Sequence, residues 1–226
     1  MTPIMLFAAG LGTRMGALTA DKPKPMVHVA DKPLIDHALA LIEGQPLLTP
    51  VINLHYKADV LRDHLANRKV TFSDETDKLR DTGGGLRHAL PLLGTGPIVT
   101  LNTDAIWQGA NPIAQLLAAW RDDMEGLLML IPPQQVIGHK GTGDFIMDDD
   151  GRLYRQPGHV YSGLQMIRTD GLAAIEDDVF SLNRLWDDGI GRGTLHGIIY
   201  TGRWCDVGQP ESIPLAESLI NKANHV

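Results

Sequence analysis

Apolar residues recur along this chain in two rhythms. Short apolar-rich runs at Ile4–Ala8, Val51–Leu54, Val70–Phe72, Ile98–Leu101 and Leu127–Ile131 have the length of buried strands. Between them, Leu34–Ile42, Ala58–Leu65, Gly85–Leu93 and Pro112–Trp120 carry apolar residues at the spacing of one helix face. Strands alternating with helices predict parallel βαβ units with right-handed crossovers and helices on both faces of one sheet. After Ile131 the rhythm turns strand-rich. Phe145–Met147, Tyr161–Ile167 and Leu195–Tyr200 read as strands, with a helix around Ser181–Trp186. Gln209–Ala223 closes the chain as a helix with Leu215, Leu219 and Ile220 on one face. The expectation is a single α/β domain, 1–226, with a regular half to about 131 and a strand-rich half from about 132.

Composition narrows the classes. Hydrophobic residues at 43% and charged residues at 21% are ordinary for a globular protein, and 5% aromatics imply an aliphatic core. The single cysteine, Cys205, excludes an internal disulfide framework and fits a reducing compartment. No stretch approaches the roughly 20 apolar residues of a membrane helix, and the N-terminal apolar run is too short for a signal peptide. A cytoplasmic protein with no membrane partner is expected. A formal charge of −7 argues against broad nucleic-acid binding but not against small anions, which need only a few cations in one place.

Such a place is visible near the start. Ala8-Ala9-Gly10-Leu11-Gly12-Thr13-Arg14-Met15-Gly16 follows the first strand. Glycines there let backbone amides approach phosphate oxygens, and Arg14 adds a forked charged donor. A dinucleotide fingerprint fits poorly, because Arg14 stands near the third glycine position and no strand-end acid follows about 20 residues on. A Walker loop fails for lack of Gly-Lys-Ser/Thr. A bare turn explains neither Arg14 nor the next segment, Asp21-Lys22-Pro23-Lys24-Pro25-Met26-Val27, whose prolines are expected to hold Lys24 extended.

Carboxylates recur at two suggestive points. Asp104 lies just past the strand Ile98–Leu101, where α/β sheets bind ligands, and Asp206 sits between a strand and the last helix. By context alone either is equally a turn or helix-start aspartate. Asp148, Asp149 and Asp150 precede Gly151 and read as a solvated hairpin turn. The nine histidines form no zinc-ligand spacing, and His55 and Tyr56 read as packing at a helix start. Asp81-Thr82-Gly83-Gly84-Gly85 reads as a loop that lets a flat base lie against the backbone.

Taken together, AAGLGTRM…KPKPMVHVADKPLI resembles the sugar-phosphate nucleotidyltransferases, whose G-x-G-T-R-[LM] loop precedes a K-P-x-x-P-V segment. The resemblance implies a Rossmann-like, glycosyltransferase-A-like fold with a mostly parallel sheet. It implies that Ala9, Gly10, Gly12 and Thr13 wrap a nucleoside triphosphate, with Arg14 and Lys24 as catalytic contacts to its phosphates. Asp81, Gly83 and Gly84 would contact the base, and Asp104 and Asp206 would share a catalytic Mg2+. Asn102, Gly143, Asp144, Ser162 and Gly163 match sugar-facing positions. Arg155 stands near the lysine of the family's E-K-P element, here Tyr154-Arg155-Gln156-Pro157. Further departures are His28 for proline, Thr103 for glycine or serine, and Gln209 for threonine.

The implied reaction moves a nucleoside monophosphate from an NTP to a sugar 1-phosphate, releasing pyrophosphate. The T-G-G-G form is most similar to the uridylyltransferases acting on N-acetylmuramic acid 1-phosphate. Alternatives are a guanylyl- or cytidylyltransferase acting on mannose or heptose 1-phosphate or an alcohol phosphate, and a non-catalytic nucleotide-sugar sensor. The expected partners are the two small substrates, with the chain a monomer or small homo-oligomer.

Overall fold

The computed structural model describes residues 1–223. In chain order the elements begin β1 (Ile4–Phe7), β2 (His28–Val29), β3 (Lys32–Pro33), α1 (Leu34–Ile42), β4 (Val51–Leu54), α2 (Ala58–His64) and β5 (Thr71–Asp74). They continue α3 (Asp81–Leu93), β6 (Pro97–Asn102), β7 (Ala105–Gln108), α4 (Pro112–Ala119), β8 (Gly126–Ile131) and β9 (Val136–Ile137). The rest are β10 (Phe145–Met147), β11 (Leu153–Arg155), β12 (Val160–Arg168), α5 (Asn183–Arg192), β13 (Leu195–Ile199), β14 (Arg203–Asp206) and α6 (Ile213–Ala223).

Seven strands form the central sheet in the order β13-β8-β12-β6-β1-β4-β5. Only β12 runs against the others, antiparallel to both β6 and β8. The apolar runs alternate between its two faces, as the two-residue period of a strand requires. Ile4, Leu6, Val99, Leu101, Leu127 and Met129 pack with Ile35, Leu61, Ile113 and Leu116 from α1, α2 and α4. Met5, Ile98, Leu128 and Leu130 point the other way, onto Leu86 and Ala89 of α3, Trp186 of α5, and Phe145 and Leu153 of the β10–β11 hairpin.

A smaller sheet, β7-β14-β9, sits beside the main one. Its core joins Met15 from the glycine turn to Ile106, Cys205, Val207, and Ala216 and Leu219 of α6. This sheet solves a problem of distance. β14 pairs antiparallel with β7 so that Asp206 opposes Ala105, and the Val207 amide donates to the Asp104 carbonyl at 2.8 Å. Two aspartates a hundred positions apart in sequence thereby become neighbours.

Several boundaries differ from the sequence reading. The helix expected from Gly85 starts at Asp81, so the glycine tract is helical rather than a loop. The helix expected at Ser181–Trp186 runs from Asn183 to Arg192. Strands β7, β11 and β14 carry no clear apolar period, since Arg203-Trp204-Cys205-Asp206 and Leu153-Tyr154-Arg155 mix charge with aromatics. Lys24–Met26 is one 3-10 turn behind an extended Pro23, not an extended run, because Pro25 needs no hydrogen-bond donor there. The acidic triplet does form the β10–β11 turn, where the Asp148 carboxylate accepts the amides of Asp150 and Arg152. No helix among the described residues is long and apolar enough to cross a membrane.

Candidate active site

A cavity of about 480 Å³ opens at the carboxyl ends of β1, β4, β5 and β6, where parallel sheets present their loops. Its walls include Ala8, Ala9 and Gly10 from the glycine turn, Lys24, Asn53 and Glu75, Asp81 and Thr82, and Asn102 to Asp104.

The glycine turn is braced from inside and open outside. Gly12 has φ +64°, a left-handed conformation that side-chain-bearing residues resist. The Thr19 hydroxyl lies 3.0 Å from the Gly12 carbonyl and 3.2 Å from that of Gly16, while Met15 is buried in the third core cluster. The Asn53 carboxamide oxygen accepts the Ala8 and Ala9 amides at 2.7 and 3.2 Å. A Cβ added at Gly10 would meet no atom within 4 Å. Thr13 and Arg14 are exposed on the turn.

Charge gathers at one end. Lys24 Nζ lies 2.6 Å from Asp104 Oδ2, a pair with the lysine mostly shielded from solvent. Asp206 sits beyond it. Burial and the negative charge of Asp104 push the Asp206 carboxyl above its ordinary value, while Lys24, His139 and Arg14 pull it back. His139 Nδ1 is 3.5 Å from Asp206 Oδ2. A Cβ at Gly208 would lie 3.1 Å from both Asp206 oxygens and 3.3 Å from an Arg14 terminal nitrogen, which puts Arg14 in the same cluster. Arg14, Lys24, Asp104 and Asp206 therefore converge.

Two neighbouring carboxylates suit magnesium, which takes one or two protein carboxylates and completes its shell with phosphate oxygens and water. Among the described residues no group of three or more His, Cys, Asp or Glu side chains could hold a metal. The donor set fits an ion bound together with a phosphate ligand rather than one caged by protein alone.

The glycine tract at the start of α3 behaves differently from its sequence reading. The Gly83 and Gly84 amides both donate to the Phe180 carbonyl. A side chain at Gly83 would strike the Phe180 ring, and one at Gly84 the Asp178 carbonyl. Neither glycine lines the cavity; Asp81 and Thr82 do. The tract exists to let the 178–180 segment lie against the helix.

Of the sugar-facing candidates, Asn102 lines the cavity, and Gly163 lies against it: a Cβ there would sit 2.7 Å from Asn102 Cβ. Gly143 makes room for Gly158, and Asp144 spends one oxygen on the Tyr161 amide at 2.8 Å. Two candidates are bonded to other parts of the protein. Ser162 is 2% exposed, and its hydroxyl donates to the Met129 carbonyl at 2.7 Å while accepting the Leu164 amide. Arg155 bonds Asp187 and Asn183 of α5, each at 2.9 Å, and stacks over Phe145 and Trp186. In this structure its charge is therefore paired at the surface of α5.

Asn53, Glu75 and His139 were not singled out from sequence for this site. Asn53 is a polar residue inside an apolar strand and Glu75 follows a strand end, which are faint signals; His139 carries none. His55 and Tyr56 do brace rather than line, His55 against the Glu75 carbonyl and Tyr56 donating to the Thr19 carbonyl.

The MobA-like NTP transferase domain matches residues 4–146, a span holding the glycine turn, Lys24 and Asp104. The chain belongs to that family. This nucleotidyltransferase is 37% identical to N-acetylmuramate alpha-1-phosphate uridylyltransferase of Caulobacter vibrioides, over 97% of each chain. It is 29% identical to the enzyme of the same name from Neisseria meningitidis, over 95% of its own length and 96% of the relative's. The crystal structure of HddC from Yersinia pseudotuberculosis complexed with GMP-PN superposes with a TM-score of 0.79 at 22% identity, covering 97% of this chain and all of that one.

Proposed function

We propose that this nucleotidyltransferase moves UMP from UTP to N-acetylmuramic acid 1-phosphate and releases pyrophosphate. The observation that carries the reading is the meeting of Lys24, Asp104, Asp206 and Arg14 at the end of a cavity roofed by an open glycine turn. The choice of UTP and of the sugar follows the Caulobacter relative, whose likeness spans 97% of the chain.

In this reading the triphosphate lies along Gly10–Gly16, with backbone amides and the Arg14 fork on its outer phosphates. Lys24 sets positive charge beside the α-phosphate. Asp104 and Asp206 would hold magnesium, which when bound neutralises phosphate oxygens that otherwise repel an anionic nucleophile. An oxygen of the sugar phosphate attacks the α-phosphorus in line, and the bond to the β-phosphate oxygen breaks. No protein nucleophile or base is needed, because the attacking oxygen is already anionic at neutral pH. Positioning and charge compensation supply the catalysis. Asn102 and Gly163 flank the acceptor side. The enzyme would act in the cytoplasm, in keeping with a buried free thiol at Cys205, as a monomer or small homo-oligomer.

Pyrophosphate release measured across UTP, GTP, CTP and ATP, each with a panel of sugar 1-phosphates, tests this directly. UTP with N-acetylmuramic acid 1-phosphate is expected to give the highest kcat/KM. Preference for GTP with mannose or heptose 1-phosphate would reassign the substrates. Tight binding of a nucleotide sugar with no turnover on any pair would overturn the enzyme reading in favour of a sensor.

A further inference from the structure

Beneath the glycine turn lies a buried polar chain that the reaction itself does not require. Asn53, at 3% exposure, accepts the Ala8 and Ala9 amides through Oδ1 and donates from Nδ2 to Glu75 Oε1 at 2.8 Å. Glu75 is fully buried, and both side chains stand in the cavity wall. Burying a carboxyl and a carboxamide away from water is costly unless their geometry is fixed by partners. The carboxamide's partners are the first two amides of the turn; the carboxyl's is the carboxamide itself, through Oε1, while Oε2 has no hydrogen-bond partner among the described residues. The chain then reaches α3: a Cβ at Gly85 would lie 2.8 Å from Glu75 Oε1 and 3.3 Å from Asn53 Nδ2. Gly85 is glycine because the carboxyl occupies the place of its side chain.

We propose that Asn53 and Glu75 are positioning residues that set the phosphate-binding conformation of the glycine turn from below. With Ala8 and Ala9 tied down, the amides that follow, from Gly10 onward, are presented toward the phosphates instead of wandering with the loop. Glu75 fixes the carboxamide so that its oxygen, not its nitrogen, faces the turn. A carboxamide free to rotate offers either end, and only the oxygen can accept two amides. The inference rests on the nucleotidyltransferase reading of the cavity but concerns the phosphates, not the base.

That distinction supplies the test. Calorimetric affinity for UTP and for inorganic pyrophosphate, both with magnesium, is compared in the wild type, Glu75→Leu and Glu75→Gln. Glu75→Leu removes the acceptor and frees the Asn53 carboxamide, so both affinities are expected to fall by about tenfold, the loss of one net hydrogen bond's worth of order. Glu75→Gln keeps an acceptor oxygen and is expected to return both to within about threefold. Because Glu75→Leu can fail to fold, Gly85→Ala is a second probe. Alanine favours the helix, yet its Cβ must displace the Glu75 carboxyl, so pyrophosphate affinity is expected to fall again. Loss of UTP binding with unchanged pyrophosphate binding overturns the inference, since Glu75 then serves the base alone. So does a folded Glu75→Leu or Gly85→Ala that is merely less heat-stable and binds pyrophosphate normally. If the wild type binds neither nucleotide nor pyrophosphate, the function proposed above fails first and takes this inference with it.

Discussion

Two glycine-rich segments border the same cavity and use the missing side chain for opposite ends. At Gly10, in the turn after β1, a Cβ would stand in open space. At Gly83, Gly84 and Gly85, in the first turns of α3, it would collide with Phe180, Asp178 and Glu75. In the first segment Gly10 and Gly16 leave open space, and Gly12 alone is tight, against Lys24 and Thr19. The second leaves room for the protein's own chain. A run of glycines beside a cavity is therefore not in itself a ligand contact, and what lies over each Cα decides its role. In the first segment the neighbouring charges, Arg14 and Lys24, sharpen the same division, because the T-G-G-G tract has no cation of its own facing the cavity.

The sharpest test of the ligand side is to remove its charge. Asp104→Asn and Lys24→Ala are each expected to lower kcat by about 100- to 1,000-fold, roughly 3–4 kcal/mol of transition-state stabilisation. Far-ultraviolet circular dichroism should stay that of the wild type in both. Near-normal turnover in a folded variant removes that residue from the chemistry.

The two glycine segments can next be set against each other. Gly84→Ala must push back the Asp178 backbone carbonyl, and overpacking of that kind costs about 1–3 kcal/mol, read as a lower urea midpoint. Gly10→Ala meets nothing, so its stability is expected within about 0.5 kcal/mol of the wild type, while the nucleotide KM rises severalfold. A Gly84→Ala protein as stable as the wild type would erase the contrast.

The same contrast marks what could be read from sequence. Buried strands and amphipathic helices were legible because burial on both faces leaves unbroken apolar runs such as Leu127–Ile131. The glycine turn, Lys24 and the two aspartates were legible through local chemistry and the family resemblance. Their convergence was implied by the resemblance alone and not by the local pattern, since it depends on β7 and β14, short strands without an apolar period that pair across the sheet edge. Ser162 and Arg155 make a related point. Polar residues in matching positions look alike whether they face a sugar or a carbonyl, and only the fold reveals that Met129 and Asp187 already satisfy them. Asn53 was overlooked because a polar residue inside a strand declares no partner until the turn folds over it.

Ser162 turns that lesson into a measurement. Its hydroxyl is buried between a donor and an acceptor, so Ser162→Ala strands the Met129 carbonyl and the Leu164 amide. A loss of about 1–2 kcal/mol in stability is expected, with the sugar-phosphate KM unchanged. A raised KM with no stability loss would restore Ser162 to the acceptor site.

The smallest effect expected is also the most particular to the charged end of the cavity. Burial first, and the Asp104 charge second, hold the folded Asp206 carboxyl above its ordinary 3.8. A carboxyl raised in this way keeps its proton in the folded chain after the unfolded chain has released it. Stability must therefore decline as pH climbs from the unfolded value through the folded one, and stay level above. Asp206→Asn removes that loss. The ligand-free variant is expected to melt slightly above the wild type at pH 7, and the gap should close as the pH falls through the same window. The variant should at the same time lose nucleotidyl transfer, so stability and activity move in opposite directions at one position. That pairing is what separates an acid kept for a cation from one kept for the fold: a structural aspartate replaced by asparagine would melt lower at pH 7, and that result would remove Asp206 from the metal site proposed for it.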